Sequence, residues 1–215
     1  LAPLDTAMAL TKKGPNAYCQ APVTKLTNKY TRITSAINNM ESMGDTYSNI
    51  GLVWGWRLLS QHWRGFWGGK MNTNHLPKDY RTPQWRKAIV FLTDGYNQIL
   101  PAYYGAYGLI YGDGTGDARL GTNVVGTIGS KLPSEAIGQL NLRMTGVCTA
   151  IKQKGVFIYV VALSTTSGPI DSVTLEYLKD CASGPDYFFN PKLGADLGKA
   201  FEAIADSLSN LRVSK

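Results

Sequence analysis

Cysteine is scarce in this chain and never clustered. The 215 residues hold three, Cys19, Cys148 and Cys181, and no pair has the CxxC spacing of zinc or thiol-redox sites. In an oxidising compartment an odd count leaves one bridge and one spare cysteine; in a reducing one all three are thiols. Long apolar runs are also missing. The longest, Val156–Leu163, has about eight residues, far short of the roughly 20 needed to span a bilayer. The opening LAPLDTAMALTKKG lacks the basic leader and apolar stretch of a signal peptide. It also lacks an initiator Met, which reads as a piece cut from a longer chain. Blocks of like charge are absent, although the net charge is +7 and the pI about 9.3. A basic balance favours anionic partners, but no recognition motif accompanies it, so nucleic acid is not expected as a partner. No repeat of solenoid or propeller period is present.

The usual catalytic constellations are missing too. There is no G-x-S-x-G elbow for a hydrolase serine. GTIGSK at Gly126–Lys131 has the wrong glycine spacing for a phosphate loop, and no strand leads into it. DGTGD at Asp113–Asp117 fails the EF-hand spacing and reads as a polar loop tip. His62 and His75 lie in a polar connection and read as surface residues. Asp79 is the only carboxylate between Asp45 and Asp94, so the paired acids of a glycan hydrolase are not in place.

What is present is an ordinary globular mix, 44% hydrophobic and 17% charged, long enough for one sizeable core. Ile33, Ile37 and Met40 share one face and predict a helix over Thr27–Met43, stopped at Met43-Gly44-Asp45. A second helix is predicted from Asn49 to about Ser60. KAIVFLT at Lys87–Thr93 predicts a parallel strand covered on both faces. A long helix follows over Ser134–Lys154, with Ser134 as N-cap and Gly155 as stop. Val156–Leu163 is a second buried strand, Ser172–Cys181 a helix, and Asp186–Phe189 a short third strand. Leu193–Arg212 is an amphipathic helix with Leu197, Phe201, Ile204, Leu208 and Leu211 along one face. The Gly- and Tyr-rich stretch at about 97–133 is too long for a silent connection.

Alternating strands and helices predict an α/β fold: a doubly wound, mainly parallel sheet with helices on both faces. Ligands of such sheets lie outside the carboxyl ends of the strands. Asp94, in VFLTDGYNQ, sits at that end of the first strand. Thr46 lies in a loop ahead of a helix. A hydroxyl and a carboxylate from separate loops suit a hard cation such as Mg²⁺, which takes about six oxygens.

Several stretches together resemble a von Willebrand factor A domain, and more narrowly the carboxyl-terminal domain of bacterial TadG-type proteins of the Tad (Flp) pilus assembly system. They are PVTKLT after Cys19, ITSAINNMESMGDT at Ile33–Thr46, NIGLVWGWRLLS at Asn49–Ser60 and AIVFLTDGYN at Ala88–Asn97. CTAIKQKGVFIYVVAL from Cys148, CAS at Cys181–Ser183 and the closing AFEAIADSLSNLRVSK complete the set. The resemblance covers most of the chain from Cys19 onward as a single domain, residues 1–215. It implies a metal-ion-dependent adhesion site built from a DxSxS loop, a threonine loop and an aspartate loop. Thr46 matches the second and Asp94 the third. The first has no match here: in LDTAMAL, Ala7 and Ala9 stand where the serines should be, and no apolar strand precedes Asp5. Asp45 replaces the glycine usual before the threonine. The family's first strand and DxSxS loop lie upstream, so Mg²⁺ or another divalent cation is expected to bind this chain alone weakly or not at all. The missing strand would leave Lys87–Thr93 with an unpaired apolar edge.

The same resemblance implies a disulfide between Cys148 and Cys181, with two buried thiols as the alternative. It also implies a location in the bacterial cell envelope, on the periplasmic or extracellular face, with any membrane anchor outside this chain. The expected role is non-enzymatic: a module that binds a pilus or envelope protein, with Asp45, Tyr96, Asn97, Tyr103 and Tyr104 flanking the contact surface. A metal-free structural scaffold and a glycan-binding or glycan-hydrolysing domain are the alternatives. Trp54, Trp56, Trp63, Trp67 and Trp85 crowd one third of the chain. Trp54 reads as core; Trp63 and Trp67 read equally as packing or as an exposed stacking surface.

Overall fold

The computed structural model of the chain describes residues 21–41, 46–95, 97, 106–107, 134–164, 169–192 and 195–210. They belong to two compact units, Leu1–Ile50 with Asn97–Leu140, and Gly51–Tyr96 with Asn141–Lys215. Six α-helices and three strands form among the described residues: α1 (Tyr30–Asn38), α2 (Ser48–Leu59), α3 (Gly69–Thr73), β1 (Lys87–Thr93), α4 (Ser134–Gln153), β2 (Val156–Ala162), α5 (Ser172–Cys181), β3 (Phe188–Phe189) and α6 (Ala195–Asn210).

The second unit is a mixed α/β structure on a small parallel sheet of order β1-β2-β3. Register runs from Lys87 opposite Val156 to Thr93 opposite Ala162, and Val160 faces Phe188. β2 is rich in β-branched residues, suits the middle position, and is buried along nearly its whole length. Its side chains alternate between two cores. Ile158, Val160 and Ala162 pack with Leu52 of α2, Met144, Cys148 and Ile151 of α4, and Leu178 and Cys181 of α5. Tyr159 and Val161 pack with Ile204 of α6, helped by Leu197 and Leu208. Each such fully buried aliphatic side chain is worth about 1.5–3 kcal/mol relative to exposure.

Helix ends follow local chemistry. The α4 chain stops where Gly155 takes φ +75°, a left-handed conformation that a side chain would strain. A Cβ there would also come within 3.2 Å of Arg81. Asp171 caps α5, its Oδ1 accepting the Thr174 N–H at 2.9 Å. The core joins α4 to α5 covalently: Cys148 and Cys181 are bonded, with Cα atoms 5.1 Å apart and both side chains buried.

Some expectations need correction. The first helix spans Tyr30–Asn38 rather than Thr27–Met43. Thr27 Oγ1 accepts the Lys29 N–H in a turn ahead of it, and the Asn38-Asn39 pair favours turn over helix at the other end. Its apolar residues Ile33 and Ile37 are exposed, so the helical period is present without a buried face. The proposed stop at Met43-Gly44-Asp45 lies outside the described residues. β1 is not covered on both faces: Ile89 and Phe91 pack on the first core, whereas Val90 and Leu92 stay 40% and 47% exposed. On α6, Phe201 is exposed and Ala200 is buried instead, so the buried stripe is rotated from the predicted one. Ser134 begins α4 rather than preceding it, and its side chain lies outside the described residues.

Candidate functional site

β1 ends in Thr93-Asp94-Gly95. The Leu163 N–H donates to Thr93 O at 2.8 Å, which extends the parallel ladder to the last strand residue. Thr93 is buried and folds the chain back on itself. Its Oγ1 donates to Gly95 O at 3.0 Å and accepts the Gly95 N–H at 3.3 Å. Asp94 is left at the apex of this turn, exposed, at the carboxyl end of the sheet. No cation pairs with its carboxylate among the described residues. Its carboxylate is thus exposed on a braced turn, without a cation partner among the described residues. No group of three or more His, Cys, Asp or Glu side chains placed to hold a metal occurs among the described residues.

Thr46 belongs to the other unit, half-buried two residues ahead of α2. There the start of α2 is tied by side chains from distant sequence. The Ser48 N–H donates to Asn97 Oδ1 at 2.8 Å. This bond satisfies one of the N–H groups that a helix start leaves without an intrahelical partner. Asn49 Nδ2 donates to the Tyr107 hydroxyl, and the Tyr47 and Tyr107 rings lie 6.1 Å apart. Asn97 is thus a buried brace in this unit, 2% exposed. Asp45, Tyr96, Tyr103 and Tyr104 lie outside the described residues, as do GTIGSK, DGTGD, Cys19 and most of the 97–133 stretch.

The aromatic region forms a second ordered feature in the second unit. Trp63 stacks on Trp67 with ring centroids 5.7 Å apart and meets Trp54 edge-on at 5.7 Å. The Arg57 guanidinium lies over both Trp54, at 4.7 Å, and Trp63, at 5.3 Å. Trp67 is buried, which decides its role as packing, while Trp54 and Trp63 are half-buried. The Arg57 bridge was not legible in sequence, because an i, i+3 pair on α2 gives no sign of a third ring arriving from the next turn.

A shallow, open pocket of about 580 Å³ lies beside Phe189, Pro191 and the first turns of α6, where Lys199 pairs with Asp196 at 3.6 Å. No described helix is long and apolar enough to cross a membrane. No family model, curated protein or solved structure matches this chain.

Proposed function

We propose that this chain is a non-enzymatic protein-binding module of von Willebrand factor A type, from a TadG-like pilus-assembly protein of the bacterial cell envelope. The observation that carries the reading is the exposed Asp94 carboxylate on a braced turn at the carboxyl end of a parallel strand. Three successive strands lie side by side with a helix between each pair, as in one half of a doubly wound sheet. In that reading the Asp94 carboxylate offers an oxygen to Mg²⁺ or another divalent cation, and an acidic group on the protein partner supplies a further ligand. The buried Cys148–Cys181 bridge supports an oxidising location, the periplasmic or extracellular face.

Calorimetric titration of Mg²⁺ and Ca²⁺ into wild type and Asp94→Ala tests the proposal on the longest natural form of the protein. Binding in wild type and its loss in the variant is the expected result. Equal affinity in both removes Asp94 from any metal site. The bridge in the core also favours a second reading, a metal-free scaffold. Assembly that survives Asp94→Ala but fails in Cys148→Ser selects the scaffold over the metal-dependent module.

A further inference from the structure

The chain's positive charge is not evenly spread. Between Thr46 and Thr93 there are seven lysines and arginines and a single acid, Asp79, a net +6 out of the chain's +7. Asp79 is itself paired with Arg64. This is also the stretch that holds all five tryptophans. At its centre is the sequence WRGFWGGK, Trp63–Lys70.

This turn is tightly built. Arg64 Nε and Nη2 donate to Pro77 O at 3.0 and 2.7 Å, and Nη2 also meets Asp79. Asn72 closes the other side, donating to Gly65 O at 2.9 Å and accepting the Gly68 N–H at 3.1 Å. Gly65, Gly68 and Gly69 all take positive φ, as do His75, Arg81 and Gln84 further along. For the three non-glycine residues that conformation is unfavourable and persists only where the surroundings impose it. On this hydrogen-bonded turn Phe66 is 71% exposed, its ring 5.7 Å from that of Trp63. Lys70 is exposed on the same turn. Lys78, next to the Pro77 anchor, lies with Nζ 5.7 Å from the ring of Trp85, which is 50% exposed.

We propose that the Trp63–Lys70 turn docks this chain onto an anionic lipid surface, with Phe66 entering the headgroup–acyl boundary and the surrounding cations meeting lipid phosphates. Aromatic rings combined with lysine and arginine are the side chains that settle at that boundary. Juxtamembrane cations gain from the negative potential of an anionic leaflet. Sugar stacking is disfavoured by the same geometry. On this turn the Trp63 ring has Arg57 over it and Trp67 stacked against it, and Trp67 is itself buried. What is exposed on this turn is one phenyl ring together with the Lys70 side chain. This surface is separate from Asp94 and does not depend on the function proposed above.

The test is co-sedimentation of the 215-residue chain with vesicles of phosphatidylcholine alone or mixed with phosphatidylglycerol. Wild type is expected to pellet with the anionic vesicles only, and less as salt is raised. Phe66→Ala is expected to lower partitioning about tenfold, since it removes most of the inserted apolar surface. Its melting temperature should match wild type, because Phe66 is exposed. Lys70→Glu should weaken binding to the anionic vesicles, and Asp94→Ala should bind as wild type does. Absence of wild-type binding up to about 1 mM anionic lipid overturns the proposal. So does a Phe66→Ala variant that binds unchanged. Phe66-dependent binding to polyglutamate without binding to vesicles also overturns it, and assigns the turn to an acidic protein.

Discussion

At the scale of single residues, position within an element decides what a charged side chain does. Asp94 and Asp171 are both exposed, yet Asp94 has no described partner and Asp171 caps a helix. Hydrogen bonds from Thr174 hold the Asp171 carboxyl below its ordinary value of 3.8. A depressed carboxyl contributes stability above the unfolded pKa and loses it as pH falls through the folded one. Asp171→Ala should therefore cost about 1 kcal/mol in urea melts at pH 7 and much less in strong acid. Asp171→Asn, which still caps, should keep most of the neutral-pH stability and lack that acid dependence. Lys87 shows the opposite sign. Its Nζ donates to Leu59 O at 2.6 Å and to Lys78 O, and burial pushes its pKa below 10.5 against the pull of Asp79. Folding thus disfavours the charged form, and this penalty fades as pH rises through the folded pKa toward 10.5. Wild type should gain stability over that alkaline interval, and Lys87→Met should not.

At the scale of elements, the sequence located strands and helices well where a buried face was present to fix them. β1 and α5 fall on their predicted residues because an apolar run bounded by polar turns has only one way to pair or pack. α1 was overestimated at both ends, since periodicity alone does not hold frayed turns in place. Burial was harder to read than the element itself. VFLT looks uniformly apolar, but α6 reaches Tyr159 and Val161 of β2 and leaves Val90 and Leu92 of β1 open. Ile204 is the buried centre of that α6 contact. Ile204→Ala should therefore destabilise the protein by about 2–4 kcal/mol, whereas Phe201→Ala, three residues earlier but exposed, should cost under about 1 kcal/mol. Denaturant midpoints of the two variants give the comparison directly.

At the scale of the whole molecule, the Cys148–Cys181 bridge spans 33 residues and restricts the unfolded chain more than the folded one. A loop of that length corresponds to about 3–4 kcal/mol of stabilisation. The Cys148→Ser, Cys181→Ser double variant, or the wild type under strong reductant, should show a lower thermal midpoint by that measure. Net charge belongs to this scale as well. A total of +7 on 215 residues says little until its distribution is seen, and a net +6 of it falls between Thr46 and Thr93, the stretch that holds all five tryptophans.

The sequence by itself determined the alternation of strands and helices, the Thr-Asp-Gly end of β1 and the Gly155 stop, because each rests on local backbone chemistry or on a short apolar period. It also brought Cys148 and Cys181 forward as a pair, through family resemblance. Only the tertiary structure decided that their Cα atoms lie within bridging distance, that Asn97 turns inward to hold Ser48, and that the Trp63 ring comes up to Arg57. These are contacts between residues far apart in the chain or on different elements. No local pattern encodes them, because their partners meet only after the sheet and its helices have packed.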